Sequence, residues 1–258
     1  MKYIIGAIAG DIIGSPYEWH NIKTVDFDLF NRKSKFTDDS VLTAATMDAL
    51  LNKKPYAAAY QQYGRKFPDS DYGAHFRSWI YCDNPQPYDS WGNGSAMRVS
   101  PVGWAFDTLE QTLEEAKNSA EVTHNHPEGI KGAQATAAAI FLARHGKTKD
   151  EIKKYIRDTF DYDLDRKLDD IRPGYEFDVS CQGSVPEAII AFLESTDYEN
   201  AVRLAVSIGG DSDTIACITG GIAEAFYREV PDWIVERVLK TLPKSLGKII
   251  EEFSTKFR

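Results

Sequence analysis

Two short acidic clusters, 36-FTDDS-40 and 209-GGDSDT-214, each stand immediately before an apolar-periodic helix. Either one alone reads as ordinary capping, because Thr and Asp favour N-cap positions and first-turn carboxylates complement the helix dipole. A cap needs only one side-chain oxygen, however, and each cluster holds two carboxylates that repel one another. Together Thr37, Asp38, Asp39, Asp211, Asp213 and Thr214 offer nothing but hard oxygen donors. Such a set suits Mg²⁺ or Mn²⁺ rather than zinc, which prefers nitrogen and sulfur. Residues two apart point the same way in extended chain, so Asp211 and Asp213 can share a target before their helix begins. Gly209 and Gly210 would turn the backbone to bring them there. A helix N-terminus repels cations, and several carboxylates are needed to reverse its field.

Other segments add polar groups without a metal pattern of their own. Glu18 follows Pro16 just past the end of the first helix, a position where a lone acid is usually solvated. In 92-GNGSAMR-98, small residues open a helix and would let a phosphate approach free backbone N–H groups, although most Gly-rich helix starts are plain turns. Arg98 would pair with that phosphate or with a surface acid. His124 and His126 stand two apart with no third nitrogen ligand nearby, which is no zinc signature. Cys82, Cys181 and Cys217 are odd in number and show no CxxC spacing, so buried or idle thiols in a reducing cytosol are expected.

The elements that must position these groups are helical nearly throughout. Apolar faces recur over 41–51, 133–144, 185–194 (with Pro186 near its start), 198–208, 215–227, 231–242 and a last helix to about 257. Strand alternation is confined to 24–30 and 175–180. The polar stretch 161–174 reads as a surface excursion. No repeat or linker divides the chain, so the expectation is an all-α fold in one domain over 1–258, its helices crossing at several angles. With 30 Lys and Arg against 39 Asp and Glu, net charge is −9, which disfavours gripping a nucleic-acid duplex through bulk charge. No apolar run reaches the roughly 18 residues needed to span a bilayer. Asp11 and Glu18 spoil the N-terminal run as a secretion signal, and a cytoplasmic protein is expected.

The series 10-GDIIGSPYE-18, 37-TDDS-40, 92-GNGSAMR-98, 123-TH-124 and 209-GGDSDT-214 resembles the ADP-ribosylglycohydrolase family in order and spacing, from residue 6 to about 227. The resemblance implies a compact helical fold holding two divalent cations, Mg²⁺ or Mn²⁺, in a cleft. It makes Thr37, Asp38, Asp39, Asp211, Asp213 and Thr214 ligands and places Glu18 beside the ribose and the metals. It puts Gly92, Asn93, Gly94, Ser95 and Ala96 around the diphosphate and ribose, His124 near the nucleotide, and Asp89 as the nearest equivalent of a further acid. The implied reaction releases ADP-ribose from a modified protein or small acceptor, with Glu18, Asp38 and Asp213 as catalytic groups. The alternative is a non-catalytic, crystallin-like member that binds ADP-ribose or serves structurally; loss of ligand residues would favour it, and here all six are present. A different Mg²⁺-dependent hydrolase, acting for instance on phosphate esters, is a third reading, which the GNGSAMR and GDIIGSPYE segments disfavour. Stretch 161–180 matches no part of the family pattern, so target-recognising loops there are expected to be shortened or altered.

Overall fold

Gly6, Gly10 and Gly14 recur every fourth residue in the first helix, and the fold is assembled around the close approach that this spacing permits. The computed structural model describes residues 3–258. Helix α1 (Gly6–Gly14) ends in a short 3₁₀ turn (Ser15–Tyr17) and is followed by a long loop to α2 (Asp38–Asn52). Then come α3 (Tyr56–Lys66), α4 (Ala74–Trp79), α5 (Gly94–Met97), α6 (Ser100–Ala105), α7 (Leu109–Glu121) and α8 (Pro127–Arg144). The second half holds α9 (Lys149–Phe160), α10 (Leu168–Ile171), α11 (Cys181–Glu194), α12 (Tyr198–Ser207), α13 (Ser212–Tyr227), α14 (Asp232–Thr241) and α15 (Lys244–Phe257).

Helices α1 and α13 form the spine, and every residue of α1 is buried. A Cβ placed on Gly10 would lie 2.0 Å from the Ala216 carbonyl oxygen, and one on Gly14 would lie 2.5 Å from that of Ser212. Only hydrogen atoms fit between these backbones. Buried Glu224 accepts from the free Ile5 and Gly6 N–H groups at 3.0 and 2.6 Å, so α13 also caps the start of α1. Helix α8, apolar on most sides, buries Ala133, Ala135 and Thr136 through Ala143 in the core. Because the obstacle at Gly10 is backbone rather than a movable side chain, Gly10→Ala should force the two helices apart. The expected cost is about 1–3 kcal/mol, read as a lowered urea midpoint without loss of helical circular dichroism.

Two local expectations are corrected. No strand occurs among the described residues; 24–30 and 175–180 are irregular, and the only ladder contact there is an isolated bridge between Gly92 and Ser180. Side chains take the carbonyls that a strand would have used: Arg203 donates to Val25 O and Phe27 O at 3.1 and 2.7 Å, and Lys23 to Tyr175 O at 2.7 Å. Pro186 lies well inside α11, which begins at Cys181 under a cap in which the Ser180 hydroxyl accepts from Gly183 N–H at 3.0 Å. The 161–174 excursion is exposed at Asp163 and Asp165, yet Tyr162, Leu164 and Leu168 pin it to the core. No helix among the described residues is long and apolar enough to cross a membrane. All three cysteines are free, Cys82 exposed and the other two buried.

Candidate metal centre and cleft

The floor of the site is set by a residue that sequence reading passed over. Asp11 is fully buried in α1. Its carboxylate accepts from Thr37 N–H and Ser40 N–H, both at 3.1 Å, from the Thr37 hydroxyl at 2.7 Å, and from the Ser40 hydroxyl. These bonds fasten the first turn of α2 to α1 and orient the Thr37–Ser40 segment. Burial pushes the Asp11 carboxyl up to about 6, against four hydrogen bonds that hold it down. The available signal was a lone acid in the otherwise apolar run GAIAGDIIG, read there only as a break in hydrophobicity.

Capping accounts for only part of the two acidic clusters. Thr37 is a true N-cap, its hydroxyl accepting from Asp39 N–H at 3.3 Å. Asp211 sits at the N-cap of α13 but makes no capping bond. Its carboxylate instead accepts from the Asn93 amide at 2.7 Å. The Thr214 hydroxyl donates to Asp39 at 3.4 Å, joining the start of α13 to the start of α2. One oxygen each from Glu18, Asp211 and Asp213 lie within 4.8 Å of one another. Asp38 and Asp39 line the same cleft, which has a volume of about 400 Å³. Gly209 and Gly210 adopt φ +76° and +69°, the left-handed turn that delivers Asp211.

Lys35 opposes this concentration of charge only from a distance. Among the described residues no ion pair reaches Asp11, Glu18, Asp38, Asp39, Asp211 or Asp213, and Asp39 Oδ2 is buried with no hydrogen-bond partner. Burial, then mutual repulsion, raises Asp38, Asp39 and Asp213 well above the usual carboxylate range. Glu18 is pushed up to about 7 by burial, then by Asp211 and Asp71, with Lys35 opposing. An orphaned buried oxygen amid all-oxygen donors is what a hard divalent cation would satisfy.

The wall of the cleft next to Asp211 includes Gly92, Asn93, Gly94, Tyr88 and His124. The Thr123 hydroxyl accepts from Arg98 at 2.8 Å and lies 2.7 Å from His124 Nδ1, which leaves Nε2 as the ring nitrogen beside the cleft glycines. A Cβ on Gly94 would come within 3.1 Å of that Nε2, so the glycine keeps this nitrogen uncovered. Burial, and then Arg98, drive the His124 pKa well down and keep the ring neutral. Ser95 and Ala96 lie behind the wall, fully buried, with the Ser95 hydroxyl donating to Gly129 O at 2.7 Å. Asp89 is exposed at φ +55° and does not line the cleft. Arg98, expected to meet a phosphate or a surface acid, makes no surface ion pair: it is fully buried at the cleft, donates to Ser119 O at 2.9 Å, and lies 4.2 Å from the Tyr60 ring centre. His126 caps α8, its Nδ1 accepting from Glu128 N–H.

A family model described as ADP-ribosylglycohydrolase matches residues 1–257. The chain belongs to the ADP-ribosylglycohydrolase family. Among curated relatives, ADP-ribosylhydrolase ARH3 of Homo sapiens is 28% identical over 87% of this chain and 84% of its own length. ADP-ribosylarginine hydrolase Tri1 of Pseudomonas putida (strain GB-1) is 28% identical over 55% of this chain and 41% of its own. A solved structure titled "ADP-ribosylglycohydrolase-related protein complex" superposes with a TM-score of 0.74 over 98% of this chain and 95% of that one, at 20% identity, which is a likeness of fold.

In this member of the family the loop carrying Glu18 is held by a second group that the motifs did not single out. The Asn21 amide donates to Tyr17 O, Glu18 O and Gly210 O at 2.7, 2.9 and 2.9 Å and accepts from Gly210 N–H at 2.8 Å. Lys23 adds bonds to Ile208 O and Tyr175 O. Three loops are thereby stapled: the one bearing Glu18, the glycine turn before Asp211, and the stretch after α10. A polar residue three beyond a candidate acid carries no recognisable spacing, which is why only coordinates reveal it.

Proposed function

We propose that the cleft hydrolyses the glycosidic bond between ADP-ribose and a modified protein side chain or related small acceptor, reversing ADP-ribosylation. On this reading Thr37, Asp38, Asp39, Asp211, Asp213 and Thr214 hold two divalent cations, Mg²⁺ or Mn²⁺. The observation that carries it is the convergence of Glu18, Asp39, Asp211 and Asp213 from three separate stretches, with a buried oxygen of Asp39 unpartnered. Divalent cations there would neutralise the carboxylates and polarise the oxygens they touch.

The chain's own groups then have defined work. Glu18, at the cleft beside Asp211 and Asp213, is placed to hand a proton to the departing acceptor atom. As the bond from the anomeric carbon breaks, its electron pair leaves with the acceptor. Positive charge on the sugar is steadied by the surrounding carboxylates. Water adds to the anomeric carbon and its surplus proton returns to Glu18. The neutral His124, with Nε2 beside Gly92 and Gly94, offers a hydrogen-bonding nitrogen to the nucleotide.

Glu18→Gln is expected to lower kcat about 10²–10⁴-fold while changing ADP-ribose affinity less than threefold, measured by turnover and calorimetry. Unchanged turnover would remove Glu18 from proton transfer. The proposal as a whole is tested by incubating the protein with ADP-ribosylated arginine, serine and nucleobase substrates, with and without EDTA. Free ADP-ribose should appear from at least one substrate and vanish with chelator.

A further inference from the structure

Four helices end at one corner of the molecule, at the far end of α13 from the carboxylates. Trp104 stands in the last turn of α6, Arg144 and His145 at the end of α8, Arg228 directly after α13, and Phe257 and Arg258 at the end of α15. With Ala225 these residues line a pocket of about 340 Å³ that shares no residue with the cleft. Arg228 follows Asp213 by the whole remaining length of α13, about 22 Å along the helix axis.

Three arginines of this net-acidic chain are linked here in series. Arg258 donates to Arg228 O at 3.1 Å, Arg228 to Arg144 O at 3.5 Å, and Arg144 to Phe106 O. Cations complement the carbonyl ends of helices, which accounts for these three bonds. It does not account for what is left over. Arg258 is neutralised by Glu224 at 2.7 Å, but among the described residues neither Arg144 nor Arg228 forms an ion pair. Asp107 acts on Arg144 only from a distance. Arg144 Nε is buried with no hydrogen-bond partner, and so is Nε1 of Trp104, a residue 6% exposed. Buried N–H groups are rarely left without an acceptor, and two of them on the residues of one pocket call for oxygens from outside the chain.

The unpartnered groups fix the class of ligand. Both are donors, and the two unpaired guanidinium groups bring two positive charges. Guanidinium forks match oxyanions bidentately, so the pair suits a dianion better than a single carboxylate. The rings of Trp104 and Phe257 add apolar surface beside the charges, and the volume leaves room for a small organic group.

We infer that the corner formed by Trp104, Arg144 and Arg228 is a second ligand site, remote from the cleft, that binds a phosphate dianion, free or as the monoester of a small molecule. The test follows the tryptophan indole N–H signals of the isotopically labelled protein by NMR, with Mg²⁺ present, during titration with inorganic phosphate. The Trp104 signal, identified by its loss in Trp104→Phe protein, should move saturably with a midpoint of about 1 mM. Arg228 is exposed and its one side-chain bond is long, so Arg228→Gln should leave the melting temperature unchanged while weakening the response about tenfold. Arg144→Lys, which keeps the charge and loses the fork, should weaken it as well. Acetate should need about tenfold higher concentration than phosphate for the same shift. A tighter response to glycerol 2-phosphate than to inorganic phosphate identifies a monoester as the ligand, and an equal or weaker one identifies free phosphate. Phosphate held by cations in the cleft would instead move the signal of Trp19, which lines it, and leave Trp104 still. That result overturns the inference, as does a Trp104 shift that survives Arg228→Gln or that acetate reproduces at equal concentration.

Discussion

Asp213→Ala protein is expected to release no ADP-ribose above background and, when stripped of metal at pH 8, to melt several degrees higher than the unsubstituted chain. The two effects have one cause. Asp213 is buried among Asp211, Asp39, Glu18 and Asp11, each of which raises the cost of its charge. Without cations the ionised cluster opposes folding, so deleting one member relieves repulsion. A relief of about 1–2 kcal/mol corresponds to about 2–8 °C in a chain of this size. With cations the same deletion removes a ligand. A merely structural acid would show the opposite pattern, losing stability when truncated. Differential scanning fluorimetry of stripped protein beside an ADP-ribose release assay reads both effects, and a lowered metal-free Tm with retained turnover would refute the assignment.

The second large effect is a pH dependence of the metal-free fold that divalent cations reverse. Asp11 is raised to about 6 and Glu18 to about 7, with Asp38, Asp39 and Asp213 also raised. A carboxyl whose folded pKa exceeds its unfolded value near 4 binds its proton more tightly in the folded state. Its relative contribution is therefore greatest below about pH 4 and is lost as pH rises through the folded value. Metal-free Tm should fall between pH 5 and pH 8, contrary to the usual trend for a salt-bridged acid. Cations bind the ionised form, so at pH 8 addition of Mn²⁺ at a hundredfold excess over its Kd should restore about 2.7 kcal/mol per site. That is about 5–11 °C for each site in a chain of this size. A flat metal-free profile from pH 5 to pH 8 would show that the carboxylates are not strained against one another.

Much of the site was legible because its chemistry demands residue types that capping does not. Surplus charge in TDD and DSD, beyond the one oxygen a cap uses, marked these segments as more than caps, and Asp211 sits at an N-cap without capping. Helical periodicity was equally readable, since α8, α11 and α13 bury nearly continuous apolar faces. Other features depended on partners remote in sequence. Asp11 looks like a flaw in an apolar run until Thr37 and Ser40 are seen to donate to it. Arg98 has the composition of a surface pair but is buried over Tyr60. Residues 24–30 alternate like a strand, yet Arg203, far along the chain, takes their carbonyls. The glycine spacing of α1 acquires meaning only with α13 alongside. Local pattern reveals what a segment must satisfy within itself; it is silent where satisfaction comes from elsewhere.

The central claim is that carboxylates from the starts of α2 and α13 share divalent cations. Titration of Mn²⁺ into chelator-stripped protein, followed by calorimetry and electron paramagnetic resonance, tests it directly. The account predicts saturable binding of two ions per chain with spin coupling between them, both abolished in Asp39→Ala and Asp213→Ala protein. Absence of saturable binding, or binding that either substitution leaves intact, would contradict it.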